Sequence, residues 1–375
     1  MARSRKGEKK RNRDRWSTLL ATRLPWLLIV PLGFAIPAIA SQNPHEVERV
    51  YSQSIYPAVR TVLSAVSSLF SFSLAELLLI IAVLSIAAVV IIRLIQLVFR
   101  KIRVVRFFRT IFGLAILGGV LLNTFYFTWG INHFRPRLNE LMNLSQADNS
   151  VEQLSFMCEV LSNDAAEIRK NLYEDSEGVF ALKDGPDTHF DLLPQAYAAL
   201  SKDHPIFEGE LTVVKSVHFS EALSSAGIAG MFMPYTSEAN VNVDQPALLL
   251  LSSAAHEMAH QLGFAREDEA NFIAYLACTY SQDASTQYSG IMLALINCAN
   301  RLYREDPDLY YELYSSFSEQ IQRDINAYNK YWLSFEGPLE DTMGQVNDSY
   351  LKFNQQGDSR SYNEMVTLLM AYYYG

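Results

Sequence analysis

LLSSAAHEMAHQLGFAREDEANFIAYLAC, from Leu250 to Cys278, carries two histidines four residues apart, His256 and His260, with Glu257 directly after the first. On an α-helix that spacing sets both imidazoles on one face, about 40° apart and one turn above each other. Two neutral imidazoles so placed suit Zn²⁺, and the intervening glutamate can take a proton from an attacking water. The surrounding punctuation is helical. Asn242 or Asp244 can cap the start, Pro246 fits the first turn, Ala247 to Leu251 is an apolar run, and Gly263 supplies the left-handed stop. A helix of about 17 residues is expected, with the motif in its last turns.

A catalytic zinc needs three protein ligands and one open position. Past the glycine, Glu267, Asp268 and Glu269 open a second helix, where its dipole favours acids. Glu267, Ala270, Asn271, Ala274 and Cys278 fall along one stripe of small residues, whereas Glu269, Phe272, Ile273 and Leu276 point elsewhere. A small-residue stripe permits close approach, so it is expected against the histidine helix, with Glu267 as third ligand and Asn271 orienting a ligand one turn on. The competing assignment makes all three acids ordinary first-turn residues and leaves Asp268 or Glu269 open as the ligand.

HEMAH followed by E-x-E-A-N resembles the zincin metallopeptidases of the glutamate-ligand type, in which a glutamate on the next helix completes the site in an E-x-x-x-D or E-x-x-x-N pattern. HEMAHQLGFAREDEANF behind a few membrane spans is similar to an uncharacterised bacterial membrane family, domain of unknown function 3810. The zincin resemblance implies a zinc-dependent peptidase acting on protein or peptide substrates. The connection from His260 to Glu267 is shorter than in the better-known members.

Half of the 375 residues are hydrophobic, and they concentrate early. Runs over 24–40, 77–99 and 111–131 approach the length needed to cross a bilayer; the run before His256 is too short and reads as a buried core helix. Residues 1–23 hold nine Lys or Arg against Glu8 and Asp14, and residues 93–109 hold six basic residues and no acid. The positive-inside rule puts both segments in the cytoplasm and everything after the third span outside it, on a multi-pass protein of the cell membrane. The first 131 residues sum to +12 and the remainder to −21, which argues against nucleic acid as a partner of the large domain and leaves the basic tail to touch anionic membrane lipid. Ala38-Ile39-Ala40 before Ser41 also fits a signal cleavage box, although the long basic leader favours an uncleaved anchor. Tyr51, Ile55, Val59, Val62, Val66 and Leu69 mark a one-sided helix, expected as a membrane-packed spacer or else a cover on the large domain.

The expected organisation is a basic tail over 1–23, a membrane region over 24–131 and an extracytoplasmic zincin-like domain over 132–375, α+β in class and mainly α. Helices are expected over Val151 to Tyr173, Leu192 to Leu200, Tyr288 to Tyr303, Pro307 to Trp332 and Tyr362 to Tyr374, joined by polar loops. Leu211 to Val214, Val217 to Phe219 and segments within Met231 to Val243 read as strands, and Met231 to Asn242 is expected to form either one cleft wall or only core. His189 and His204 have no ligand-spaced partner. Three cysteines exclude a disulfide scaffold; Cys278 and Cys298 are expected to pair or to remain buried thiols. For the group that stabilises an oxyanion, Tyr288 is the first candidate, ahead of His218 and Tyr235. The reading is therefore a membrane-anchored zinc metallopeptidase in which His256, His260 and Glu267 hold the metal and Glu257 is the base. The alternative is a non-catalytic envelope sensor or scaffold whose zinc staples two helices.

Overall fold

The computed structural model describes residues 16–99, 104–145, 147, 149–354 and 362–375. The basic tail up to residue 15, and Arg100, Lys101 and Arg103, lie outside the described residues. Helix α1 (Trp16–Ala40) leads through a connecting segment into α2 (Tyr56–Ser67), then α3 (Leu74–Val98) and α4 (Val104–Thr128). Of these, α1, α3 and α4 are long and apolar enough to cross a membrane, and protein covers little of their apolar surface, so the chain is a membrane protein. Helix α4 stops at Thr128, short of the expected 131, because Trp129 leaves the helical region at φ −163°. Arg23, Arg93, Arg106 and Arg109 line one cavity at the far end of the bundle from Trp129.

The segment between α1 and α3 has two faces: Tyr56, Arg60, Ser64 and Ser67 are buried on the large domain, whereas Ile55, Val62, Val66 and Leu69 of the expected apolar stripe are exposed, as a spacer packed on the membrane also requires. It is wound as π-helical turns over Val47–Ile55 followed by α2, and it lies on the large domain. Tyr56 donates to the carbonyl of Gln261 at 2.7 Å, Ser52 to Asn132 Oδ1 at 2.8 Å, and Glu48 forms a buried bidentate ion pair with Arg135. The N-terminal end of α3 is held as firmly. Ser73 caps it by accepting the Glu76 N–H, and the carboxylate of Glu238 accepts the Leu74 and Ala75 N–H groups at 3.1 and 2.7 Å, where the helix dipole favours an anion.

Beyond the spans the chain is mainly helical, with 73% helix and 3% strand overall. Helices α5 (Val151–Arg169) and α6 (Leu193–Asp203) precede a small sheet of β1 (Lys215–Ser216), β2 (Gly230–Met233) and β3 (Glu238–Val241). The order is β1-β3-β2, with β1 parallel and β2 antiparallel to the central β3. Leu211 to Val214 is not a strand: the Thr212 N–H bonds to Gln261 Oε1 and not to a ladder. There follow α7 (Ala247–Gln261), α8 (Glu267–Thr279), α9 (Ala284–Glu305), α10 (Pro307–Ser316), α11 (Glu319–Leu333), α12 (Pro338–Phe353) and α13 (Tyr362–Tyr374). The single helix expected over Pro307 to Trp332 is broken because Ser318 caps a new start by accepting the Ile321 N–H. Helix α12 occupies a stretch expected as polar connection. Its start is marked by Pro338 in the first turn and by Glu340 and Asp341 after it.

Helix α7 is buried on nearly every side, as its all-round apolar start requires. Its N-cap is Pro246 with no side-chain cap: the Asn242 Oδ1 accepts the Asp244 N–H, and the Asp244 carboxylate accepts the Tyr331 hydroxyl. Helix α9 packs across α7 and α8, closely enough at Gly290 that a Cβ there would lie 2.2 Å from that of Cys278. All three cysteines are free and buried, and the sulfur neighbour of Cys298 is Cys158, not Cys278.

The end of α7 is fixed by Gly263 at φ +94°. The Phe264 N–H reaches back to the Ala259 carbonyl at 3.1 Å and the Gly263 N–H to that of His260 at 2.9 Å. A Cβ at Gly263 would lie 2.9 Å from the Tyr56 ring and 3.1 Å from Asn132 Nδ2. Gly263→Ala should therefore cost at least about 1 to 2 kcal/mol through the left-handed backbone alone, read as a lower melting temperature of the detergent-solubilised protein. An unchanged melt would contradict this packing.

Candidate metal centre

The centre is built where α7 ends and α8 begins. The rings of His256 and His260 lie with centroids 4.6 Å apart and nearly perpendicular, at 88°. Glu267 sits between them: Oε2 is 3.1 Å from His256 Nε2 and Oε1 is 3.6 Å from His260 Nε2. One ligand atom from each of the three lies within 4.8 Å of the others, and among the described residues no other such group of ligand side chains forms.

Both imidazoles are oriented by their other nitrogen. His256 Nδ1 meets Asn271 Oδ1 at 2.8 Å, and His260 Nδ1 meets the Phe264 carbonyl at 2.7 Å, so each Nδ1 carries the proton and donates it. Each Nε2 faces a Glu267 oxygen; it would turn its lone pair to a bound ion, and on His260 the carboxylate otherwise favours a proton there. Such outer hydrogen bonds fix tautomer and ring angle in histidine metal sites. The donor set of two nitrogens and a carboxylate, with the carboxylate 3.1 and 3.6 Å from the two imidazole nitrogens as for atoms about 2.0–2.2 Å from a common ion, fits Zn²⁺.

Glu269 does not compete. Its carboxylate accepts the Leu138 N–H at 2.9 Å and pairs with Arg266, and Asp268 faces Arg137. Glu257 lies against β2, near enough to His256, His260 and Glu267 to feel their charge: a Cβ on Gly230 would lie 2.7 Å from its Oε1, and the Phe232 N–H hydrogen-bonds to its carboxylate. Burial pushes the Glu257 carboxyl up, opposed by the two imidazoles. Burial works in the same sense on Glu267, yet His260 and His256 hold it well below the usual carboxylate range. Burial disfavours protonation of His260, but the Glu267 charge outweighs it and raises the ring to about 9.

The expected wall from Met231 to Asn242 divides. Strand β2 is the edge beside Glu257, whereas β3 is buried along its whole length. Tyr288 is a correction: its ring is fully buried and its hydroxyl donates to Asp324 at 2.7 Å within a core network that includes Arg169, so it does not face the centre. Tyr235 donates to the Leu121 carbonyl, and the exposed His218 lends its N–H to Glu76. His189 pairs with Asp283 and His204 with Tyr372.

Three residues that sequence reasoning did not single out belong to the surroundings. Trp129 donates its indole N–H to the His260 carbonyl at 2.8 Å, with its ring 5.7 Å from that of His260. His133 donates from Nδ1 to Gly130 and accepts at Nε2 from the Tyr350 hydroxyl at 3.0 Å; burial pushes its pKa down to about 3, keeping it neutral. Tyr350, on α12, is near enough to Glu267 for that charge to add to the effect of burial in raising its phenol. Two signals were available: the WGINHF cluster directly after an apolar span, and the helix-start residues at Pro338.

Among known proteins, a family model described as Protein of unknown function (DUF3810) matches residues 51–370. No curated protein and no solved structure matches the chain.

If the ligands are as placed, Glu267→Ala should abolish stoichiometric zinc binding, Asn271→Ala should weaken it about 10- to 100-fold, and Glu269→Ala should retain it while lowering stability, because the Leu138 N–H loses its acceptor. Chelator competition and thermal melts of the three variants read this out. Zinc lost from Glu269→Ala but kept by Glu267→Ala would reverse the assignment.

Proposed function

We propose, for a chain that belongs to the DUF3810 family of unknown function, a membrane-anchored zinc metallopeptidase with a zincin-like domain. The observation that carries this reading is the division of labour between two carboxylates: Glu267 lies between the imidazoles, and Glu257 lies beside them against an edge strand, free of any ligand role. A scaffold zinc has no use for the second carboxylate.

His256, His260 and Glu267 would hold Zn²⁺, which when bound polarises a scissile carbonyl and acidifies water. Glu257, with its proton affinity raised by burial, takes one proton from the attacking water as the oxygen bonds to the carbonyl carbon, then delivers it to the amine as the C–N bond breaks. Gly230 and Phe232 face away from β3, because the alternating ladder commits the neighbouring Ala229 carbonyl to Asn242. The Phe232 N–H is taken by the Glu257 carboxylate, which leaves the Phe232 carbonyl and the Gly230 main chain to pair with an extended peptide laid along β2. Tyr350 replaces Tyr288 as the phenol close to Glu267, and it would donate to the reacting carbonyl by turning its O–H away from His133 Nε2.

Glu257→Gln separates enzyme from scaffold. It should leave zinc content and melting temperature near wild type while turnover falls about 10²- to 10⁴-fold. Zinc-loaded wild type that cleaves no unfolded protein, with a variant indistinguishable from it, would favour the scaffold. The sidedness follows from charge: the arginine-lined end of the bundle is cytoplasmic and the large domain lies outside the cell membrane. Reporter fusions after residue 132 should be active only when the reporter works outside the cytoplasm.

A further inference from the structure

We propose that the substrate is the juxtamembrane segment of another membrane-anchored protein, presented in extended form along the outer edge of β2 at the membrane face that carries the large domain. This rests on the peptidase reading above and narrows it to a substrate class.

The first reason is the height of the centre. Trp129 is the residue immediately after α4, and its indole holds the carbonyl of His260, itself one of the metal-binding histidines. The ligands therefore sit at the point where the third span leaves the bilayer. The second reason is the course of β2. It starts at Gly230 against Glu257 and leads into the turn before β3, where Tyr235 donates to the Leu121 carbonyl at 3.1 Å. Leu121 lies seven residues inside the end of α4, about 10 Å along its axis. On the other strand of the same hairpin, Glu238 caps the start of α3 and pairs with Lys215. The hairpin is thus wedged between the outer ends of two spans, and the cleft wall descends toward the bilayer.

The helix carrying Tyr350 is tied down in the same way. Phe353 meets Phe34 of α1 at 5.4 Å, and Tyr126 of α4 donates to Asn354 just past the helix end. A strand paired with β2 spans about 10 Å from Met233 to Gly230. A chain emerging from the membrane beside the hairpin consequently reaches Glu257 within its first several residues, in the extended form that edge pairing requires.

The test uses the full-length, zinc-loaded protein in liposomes with three forms of one substrate library, a randomised unstructured segment of about twelve residues. In the first form the segment directly follows a single transmembrane helix; in the second a flexible spacer of about 40 residues intervenes; in the third it rides on a soluble carrier. The first two share the same confinement to the membrane, so their ratio isolates position. The directly anchored form should be cut at least about tenfold faster, with cuts located by mass spectrometry in roughly the first ten residues from the anchor, and Glu257→Gln should abolish them. Equal or faster cutting of the spaced or soluble form would overturn the proposal and leave the peptidase reading standing. Zinc-loaded wild type that cuts none of the three would remove both.

Discussion

The buried C-terminus of the histidine helix is the constraint on which the remainder depends. Its last carbonyls have no partners within the helix, and an unpaired buried carbonyl costs about 1–3 kcal/mol. The donors come from segments that adjoin the membrane spans. Trp129 serves His260, Tyr56 and Arg60 serve Gln261, and Arg135 serves Gly263. Arg60 and Arg135 also bring positive charge to the negative end of the helix dipole, and the Arg135 guanidinium stacks over Phe264 at 4.3 Å. Removing the spans through Trp129 and the segment between them would strip the Gln261 carbonyl of both its side-chain donors and leave the His260 carbonyl only the Gly263 N–H. The centre and the membrane anchor are consequently one construction.

The same helix end sets the chemistry. Gly263 turns the chain so that the Phe264 carbonyl meets His260 Nδ1, and the short link to α8 brings Glu267 and Asn271 onto the two imidazoles. Glu257 is buried against β2, whereas the Glu267 side chain is more open and lies directly between the two rings, and their proton affinities move in opposite directions. Pairs of carboxyls driven apart in this way are how one site provides a permanent anion and a proton carrier at the same pH. The neutral His133 and its partner Tyr350 extend the polar surroundings without adding charge.

Much of this was legible in the sequence because it is local. The imidazole spacing, the glycine stop, the small-residue stripe that singles out Glu267 and Asn271, and the apolar lengths of the spans each depend on residues within a few turns of one another. What escaped depends on contacts over long separations. Tyr56 and Trp129 reach the helix end across 205 and 131 positions, and Tyr350 reaches His133 across 217, which periodicity does not register. Tyr288 misleads because nearness in sequence to the motif says nothing of direction; the buried pair of Arg169 and Asp324 claims its hydroxyl. The β-branched run at 211–214 has strand propensity, but the side chain of Gln261 takes the Thr212 N–H that a ladder would need.

The most direct measurement is zinc X-ray absorption on the purified full-length protein, which counts ligands by element and distance. A single zinc per chain is expected, with two imidazole nitrogens and one carboxylate oxygen at roughly 2.0–2.2 Å, a light fourth ligand and no sulfur, and with this shell lost in His260→Ala. Sulfur scattering near roughly 2.3 Å, or a zinc shell that survives in His260→Ala, would contradict a centre made of His256, His260 and Glu267.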